Sequence, residues 1–148
     1  MSLELRYPDG QVVQHPDGVT GLQVAESIGP RLAKSAVAVK LNGELRDLNR
    51  ALDSSGDFAV ITLATDEGLD VLRHSSAHVL AQAVLDLFDD ATFAIGPAIE
   101  DGFYYDFKVE EPFTPDDLDR IEKRMGEIIR EDQPFEREAV SAEEALRV

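Results

Sequence analysis

His74 and His78 stand four residues apart in the stretch Arg73-His74-Ser75-Ser76-Ala77-His78, in a chain that has 3 histidines in all. On a helix of about 3.6 residues per turn, positions i and i+4 lie one above the other, so both imidazoles reach the same small volume. Three readings suit such a pair. The histidines can simply decorate a helix surface, they can ligate a metal, or two near-neutral imidazoles can hold an amine or hydroxyl and orient a water. Zinc would need further ligands to complete a tetrahedron. Carboxylates such as Glu100, Asp101 or Asp106 would have to supply them, since His15 is remote in sequence and there is no cysteine. The H-E-x-x-H of metalloproteases is absent, because Ser75 stands where the glutamate would be. No metal site is therefore expected, and His74 and His78 would be the ligands if there were one.

Tyr104 and Tyr105 are the next candidates. They lie in Ala94-Ile95-Gly96-Pro97-Ala98-Ile99-Glu100-Asp101-Gly102-Phe103-Tyr104-Tyr105-Asp106-Phe107, where an Asp-Gly between two apolar runs argues for a β-hairpin. The two-residue strand period puts Phe103, Tyr105 and Phe107 on one face and Tyr104, Asp106 and Lys108 on the other. Aromatic residues on a strand are usually core, but a buried tyrosine hydroxyl needs a partner that a histidine-bearing helix could supply. Gly96-Pro97 reads most simply as a strand kink. No phosphate loop and no Ser-His-Asp arrangement is present.

The elements that must carry these residues fall into two groups. Leu3, Leu5 and Tyr7 alternate with polar residues, Pro8-Asp9-Gly10 makes a turn, and Gln11 to His15 returns, forming a hairpin. Thr20-Gly21-Leu22-Gln23 is a capping box that opens a helix through Ile28, ended by Gly29-Pro30. A strand from Ala36 to Leu41, the turn Asn42-Gly43 and a strand from Phe58 to Leu63 complete a mixed unit of the β-grasp, ubiquitin-like kind over residues 1–64.

Asp66-Glu67-Gly68 then opens a second unit, residues 65–148, with carboxylates placed at the positive end of a long helix. Leu69, Leu72, Ser76, Leu80, Ala83 and Leu87 form its expected core stripe, and His74, His78, Ala81 and Leu85 a second stripe facing a cleft. Thr114-Pro115-Asp116-Asp117 caps another helix through about Arg130. Pro134 to Val140 reads as a strand, and Ser141-Ala142-Glu143-Glu144 caps a helix that has barely begun at Val148. The fold class is α+β, the second unit being partial and carrying the long histidine-bearing helix and the hairpin.

Of the 148 residues, 43% are apolar, enough for one or two packed domains. The formal charge is -16, from 30 acidic against 14 basic side chains, which opposes a freestanding DNA- or RNA-binding module. The absence of cysteine fits a reducing, cytoplasmic setting, and neither a signal peptide nor a membrane span is legible.

The stretches Arg73 to His78 and Ala94 to Asp106 closely resemble the N-terminal region of bacterial threonyl-tRNA synthetase. So do Ile28-Gly29-Pro30-Arg31-Leu32-Ala33-Lys34, Val39-Lys40-Leu41-Asn42-Gly43-Glu44-Leu45 and the helix from Leu118 to Arg130. The resemblance implies a TGS domain over residues 1–64 and, from 65 on, the N-terminal part of the editing domain shared with alanyl-tRNA synthetase. That domain hydrolyses seryl-tRNA made in error, because a methyl-sized difference gives only about 1–3 kcal/mol of discrimination. His74, His78 and Tyr105 match the family's editing pocket. A downstream Cys-x-x-x-His segment, lysine and aspartate would complete it, so the chain is expected to be truncated and inactive alone.

The same resemblance implies that ATP, magnesium and zinc belong to a catalytic domain outside this chain, which itself has no cofactor site. It implies threonine tRNA mischarged with serine as partner, a homodimer formed through other domains, and no DNA or membrane. The other reading is a ubiquitin-like regulatory or binding module joined to a metal-binding domain with no tRNA role.

Overall fold

Strands β1 (Ser2–Arg6) and β2 (Val12–Pro16) pair antiparallel with Leu5 opposite Val13 in the computed structural model, which describes residues 1–147. Helix α1 (Gly21–Ile28) starts where the capping box puts it: the Thr20 hydroxyl accepts from the Gln23 N–H at 3.2 Å, and the Gln23 side chain accepts from the Thr20 N–H at 2.9 Å. Such a cap stabilises a helix by about 1 kcal/mol. The chain does not simply stop at Gly29-Pro30. Pro30 opens a further short helix, α2 (Pro30–Ser35), because a first-turn proline loses no intrahelical hydrogen bond.

Strand β3 (Ala36–Leu41) turns through Asn42 and Gly43, at φ 51° and 82°, into β4 (Glu44–Arg46). Two successive positive φ values are what a tight hairpin asks for, and Asn-Gly meets them at least steric cost. Strand β5 (Gly56–Thr62) enters the centre of a five-stranded sheet in the order β2-β1-β5-β3-β4, parallel to β1 and antiparallel to β3. One sheet with α1 against it is the β-grasp arrangement. Its core is Leu5, Val19, Val24, Val39, Leu41, Leu52 and Phe58. His15 is buried beside it, with its Nε2 2.7 Å from the Tyr7 hydroxyl.

Helix α3 (Asp66–Leu87) runs unbroken for 22 residues. The chain forms two compact units, and α3 belongs to both: the first holds Met1–His78 with Phe93–Asp106, the second Val79–Thr92 with the segment from Phe107 on. The leucine stripe is not the buried side of α3 throughout. Of that stripe Ala83 is buried and Leu80 and Leu87 pack against a second core, but Leu72 is 45% exposed, and Ala77, Ala81 and Val84, which lie off it, are buried. A helical wheel ranks faces by apolarity, but small residues let neighbouring backbone come close, and here the alanines are the covered positions.

Four short strands follow: β6 (Thr92–Phe93), β7 (Ala98–Ile99), β8 (Gly102–Phe103) and β9 (Phe107–Lys108). In the second unit, α4 (Pro115–Glu131) begins at Thr114, whose hydroxyl accepts from the Asp117 N–H at 3.3 Å, and ends at Asp132 in the left-handed conformation. Ile121 and Ile128 of α4 join Ala83, Val84 and Ala91 in a second core. Phe88 and Phe113 meet edge to face at 5.1 Å, and the Arg120 guanidinium sits 5.5 Å from the Phe88 ring centre.

No strand forms over 134–140; every residue there is exposed and the segment has no ladder partner, without which alternation alone does not make a strand. The Ser141 capping box does form, at the head of α5 (Ala142–Ala145). Among the described residues no helix is long and apolar enough to cross a membrane.

Candidate functional site

The first turns of α3 fix the histidines. The Thr65 hydroxyl accepts from the Gly68 N–H at 3.1 Å and the Thr65 carbonyl from the Leu69 N–H at 3.0 Å, while Asp66 and Glu67 stand at the positive end of the helix. Further along, the Ser76 hydroxyl donates to the Leu72 carbonyl at 2.8 Å, turning its polar end back onto the helix. Ala77 is fully buried, so the helix is held with its alanine side inward and His74 and His78 outward. Their ring centres are 4.4 Å apart at an angle of 59°.

Both rings are exposed, yet His78 titrates below the ordinary histidine range. Partial desolvation by its surroundings is the larger cause, and the neighbouring His74 the smaller. Charging both rings at this separation is unfavourable, so near pH 7 at least one stays neutral. A neutral imidazole offers one donor and one acceptor nitrogen, suited to hydroxyls, amines and water. As a metal site the pair is short of ligands: among the described residues no three His, Cys, Asp or Glu side chains converge.

Tyr105 lies on a hairpin in the same compact unit. Its ladder is Ala98 opposite Phe103 and Ile99 opposite Gly102, extended by bonds from the Asp106 N–H to the Ile95 carbonyl at 2.8 Å and from the Ala94 N–H to the Asp106 carbonyl at 3.0 Å. The turn is therefore Glu100-Asp101, one residue earlier than the Asp-Gly pair suggests. Tyr105 is half-buried and meets Phe93 edge to face, with ring centres 6.0 Å apart, while Tyr104 is exposed on the opposite face as the strand period predicts.

Comparison with known proteins finds likeness along nearly the whole chain. Residues 5–62 match the TGS domain, which is a β-grasp fold. Over 145 residues, 98% of this chain and 23% of the other, it is 49% identical to a threonine-tRNA ligase of Carboxydothermus hydrogenoformans. A threonine-tRNA ligase of Burkholderia ambifaria is 51% identical over 97% of this chain and 22% of its own length, and one of Phenylobacterium zucineum 49% identical over 98% and 22%. The chain matches the N-terminal region of bacterial threonine-tRNA ligases. It spans less than a quarter of the length of these relatives.

The structure brings the two histidines together on α3 and sets Tyr105 on a hairpin, where its ring meets Phe93 and overlies Gly96. Glu100, Asp101 and Asp106, the carboxylates that a metal reading would enlist, do not form a ligand group with the histidines. Gly96 is more than a strand kink. Gly96 lies under the Tyr105 ring, and the signal for it was the hairpin register, which a turn misplaced by one residue hides.

Proposed function

We propose that this chain supplies the β-grasp TGS domain and the first part of the editing domain of a threonine-tRNA ligase, an enzyme that joins threonine to its tRNA at the expense of ATP. Residues 65–148 would hold the start of a hydrolytic pocket for threonine tRNA mischarged with serine. His74, His78 and Tyr105 would bind the seryl group and the terminal ribose. A water attacks the ester carbonyl, the bond from carbonyl carbon to ribose oxygen breaks, the ribose hydroxyl takes up a proton and serine leaves. Threonine would be spared because its extra methyl does not fit.

The observation that carries this reading is the pair of outward-facing imidazoles 4.4 Å apart, one of them held toward its neutral form, in a chain nearly all of which aligns with threonine-tRNA ligases. Neutral imidazoles suit a pocket that must bind hydroxyls and an amine at neutral pH. ATP, magnesium and zinc would be held by parts of the protein outside these residues, and the homodimer would likewise form through other domains. The chain's acidity fits a tRNA gripped elsewhere.

The test is deacylation of seryl-tRNA by the protein that carries this chain. His74→Ala and His78→Ala should each lower the rate by about 10²-fold or more, in the range of lost positioning and acid-base groups, with threonyl-tRNA spared throughout. Unchanged deacylation in both variants would sink the proposal. Stoichiometric zinc in the purified protein, abolished by the same substitutions, would favour a metal-binding module instead.

A further inference from the structure

Gly96 stands directly across the hairpin from Tyr105. Continuing the pairs Ala98 with Phe103 and Ile99 with Gly102 along the strands leads through the Tyr104 N–H, 3.4 Å from the Pro97 carbonyl, to Gly96 opposite Tyr105. The Tyr105 ring occupies the space where a side chain on Gly96 would begin. A Cβ built there would overlap the ring edge at Cδ2 and Cε2 and lie 2.7 Å from Cγ. Rotating the ring about Cβ–Cγ moves Cδ2 and Cε2 but leaves Cγ in place, so full relief requires the ring to swing about its first torsion. Gly96 is not among the glycines with positive φ, so its backbone conformation does not exclude an alanine, and the three atoms nearest to an added Cβ all belong to the Tyr105 ring.

A bare glycine in a strand is unfavourable by itself, and an aromatic ring laid over it across the ladder restores the lost packing. Phe93 meets the same ring edge to face, at 76°. The Tyr105 ring is thus confined by Gly96 beneath it and Phe93 at its side.

We propose that Gly96 is a positioning residue of the editing pocket: by leaving room for the Tyr105 ring against the strand, it fixes where the Tyr105 hydroxyl is held for the bound seryl ester. The inference rests on the editing reading above and adds a residue to it. A glycine that merely kinks the strand before Pro97 would tolerate alanine without effect on Tyr105.

Two measurements test it. In the 148-residue chain, NMR should find the Gly96 α-protons shifted upfield by the ring current of Tyr105, and Tyr105→Leu should abolish the shift. Ordinary strand-glycine shifts would overturn the contact and with it the proposal. In the protein that carries this chain, Gly96→Ala should lower kcat for seryl-tRNA deacylation by about 10²-fold, the cost of displacing a positioned group by about 1 Å, with KM for the tRNA unchanged. Added to Tyr105→Phe it should cost little more, because both substitutions disable the same hydroxyl. Wild-type kcat in Gly96→Ala, or a full additional loss on top of Tyr105→Phe, would overturn the positioning role alone. A wild-type protein that leaves seryl-tRNA intact would sink the editing reading and this inference together, whatever the NMR shows of the contact.

Discussion

The β-grasp sheet and the second compact unit both begin helices with the same device, and they bury apolar side chains to different depths. In the β-grasp unit, Leu5, Val24, Val39, Leu41 and Phe58 are all essentially inaccessible, and large side chains fill the centre. In the second unit the most deeply buried positions are Ala83 and Val84, while Leu118, Ile129 and Phe135 of the same unit stand 58%, 64% and 72% exposed. A capping box, an N-terminal proline and first-turn carboxylates suffice to start a helix wherever they occur. Depth of burial depends on how many elements come to cover it, which local signals do not determine.

The largest effect that separates the two regions should come from their cores. Leu41→Ala, in the sheet, should cost about 4 kcal/mol, since the tightly filled surroundings cannot collapse onto the cavity. Ile128→Ala, on α4, should cost about 2 kcal/mol, at the low end for such truncations, because its neighbours are small or half-exposed and can close in. Urea titrations of the two variants, followed by amide signals assigned to each unit, give both values. If Ile128→Ala costs as much as Leu41→Ala, the contrast in burial has no energetic counterpart.

The caps provide the control. Thr20→Ala and Thr114→Ala each remove a hydroxyl that accepts from the third residue of its helix, and each should cost about 1 kcal/mol whichever region it is in. Capping is local, so equal losses beside unequal core losses would locate the difference between the regions in packing. A Thr114→Ala loss several times that of Thr20→Ala would mean that α4 depends on its cap because its core is thin.

That distinction also accounts for what could be read from the residues alone. Capping boxes at Thr20, Thr114 and Ser141, the Asn42-Gly43 turn and the alternation through Leu5 act over four residues or fewer, and each appears where the sequence puts it. The buried side of α3 is legible at Leu80, Ala83 and Leu87 but not at Leu72 or Ala81, because which positions are covered is decided by what packs against the helix. The strand expected at 134–140 had alternation and no partner. The histidine pair needed only helical spacing and was legible, as was the face of Tyr105. The Gly96 contact required the register of the hairpin, and register changes completely when a turn moves by one residue.

The smallest effect concerns the histidines, and it separates two causes acting on one ring. His78 is held below the ordinary value of about 6.5, first by desolvation and second by His74. The folded chain therefore takes up this proton less readily than the unfolded chain. Any stability linked to it is full above the unfolded value and falls as the pH drops through the window between the unfolded and folded values. Because the ring is well exposed, the loss should be slight. The informative measurement is the NMR titration of the His78 ring protons. Its midpoint should lie below that of histidine in an unstructured peptide, and His74→Gln should move it part of the way back, since the larger cause stays in place. Complete recovery in His74→Gln would make charge repulsion the dominant cause, whereas no movement at all would mean that the two rings, despite their 4.4 Å separation, do not sense each other's protons and cannot act as a pair.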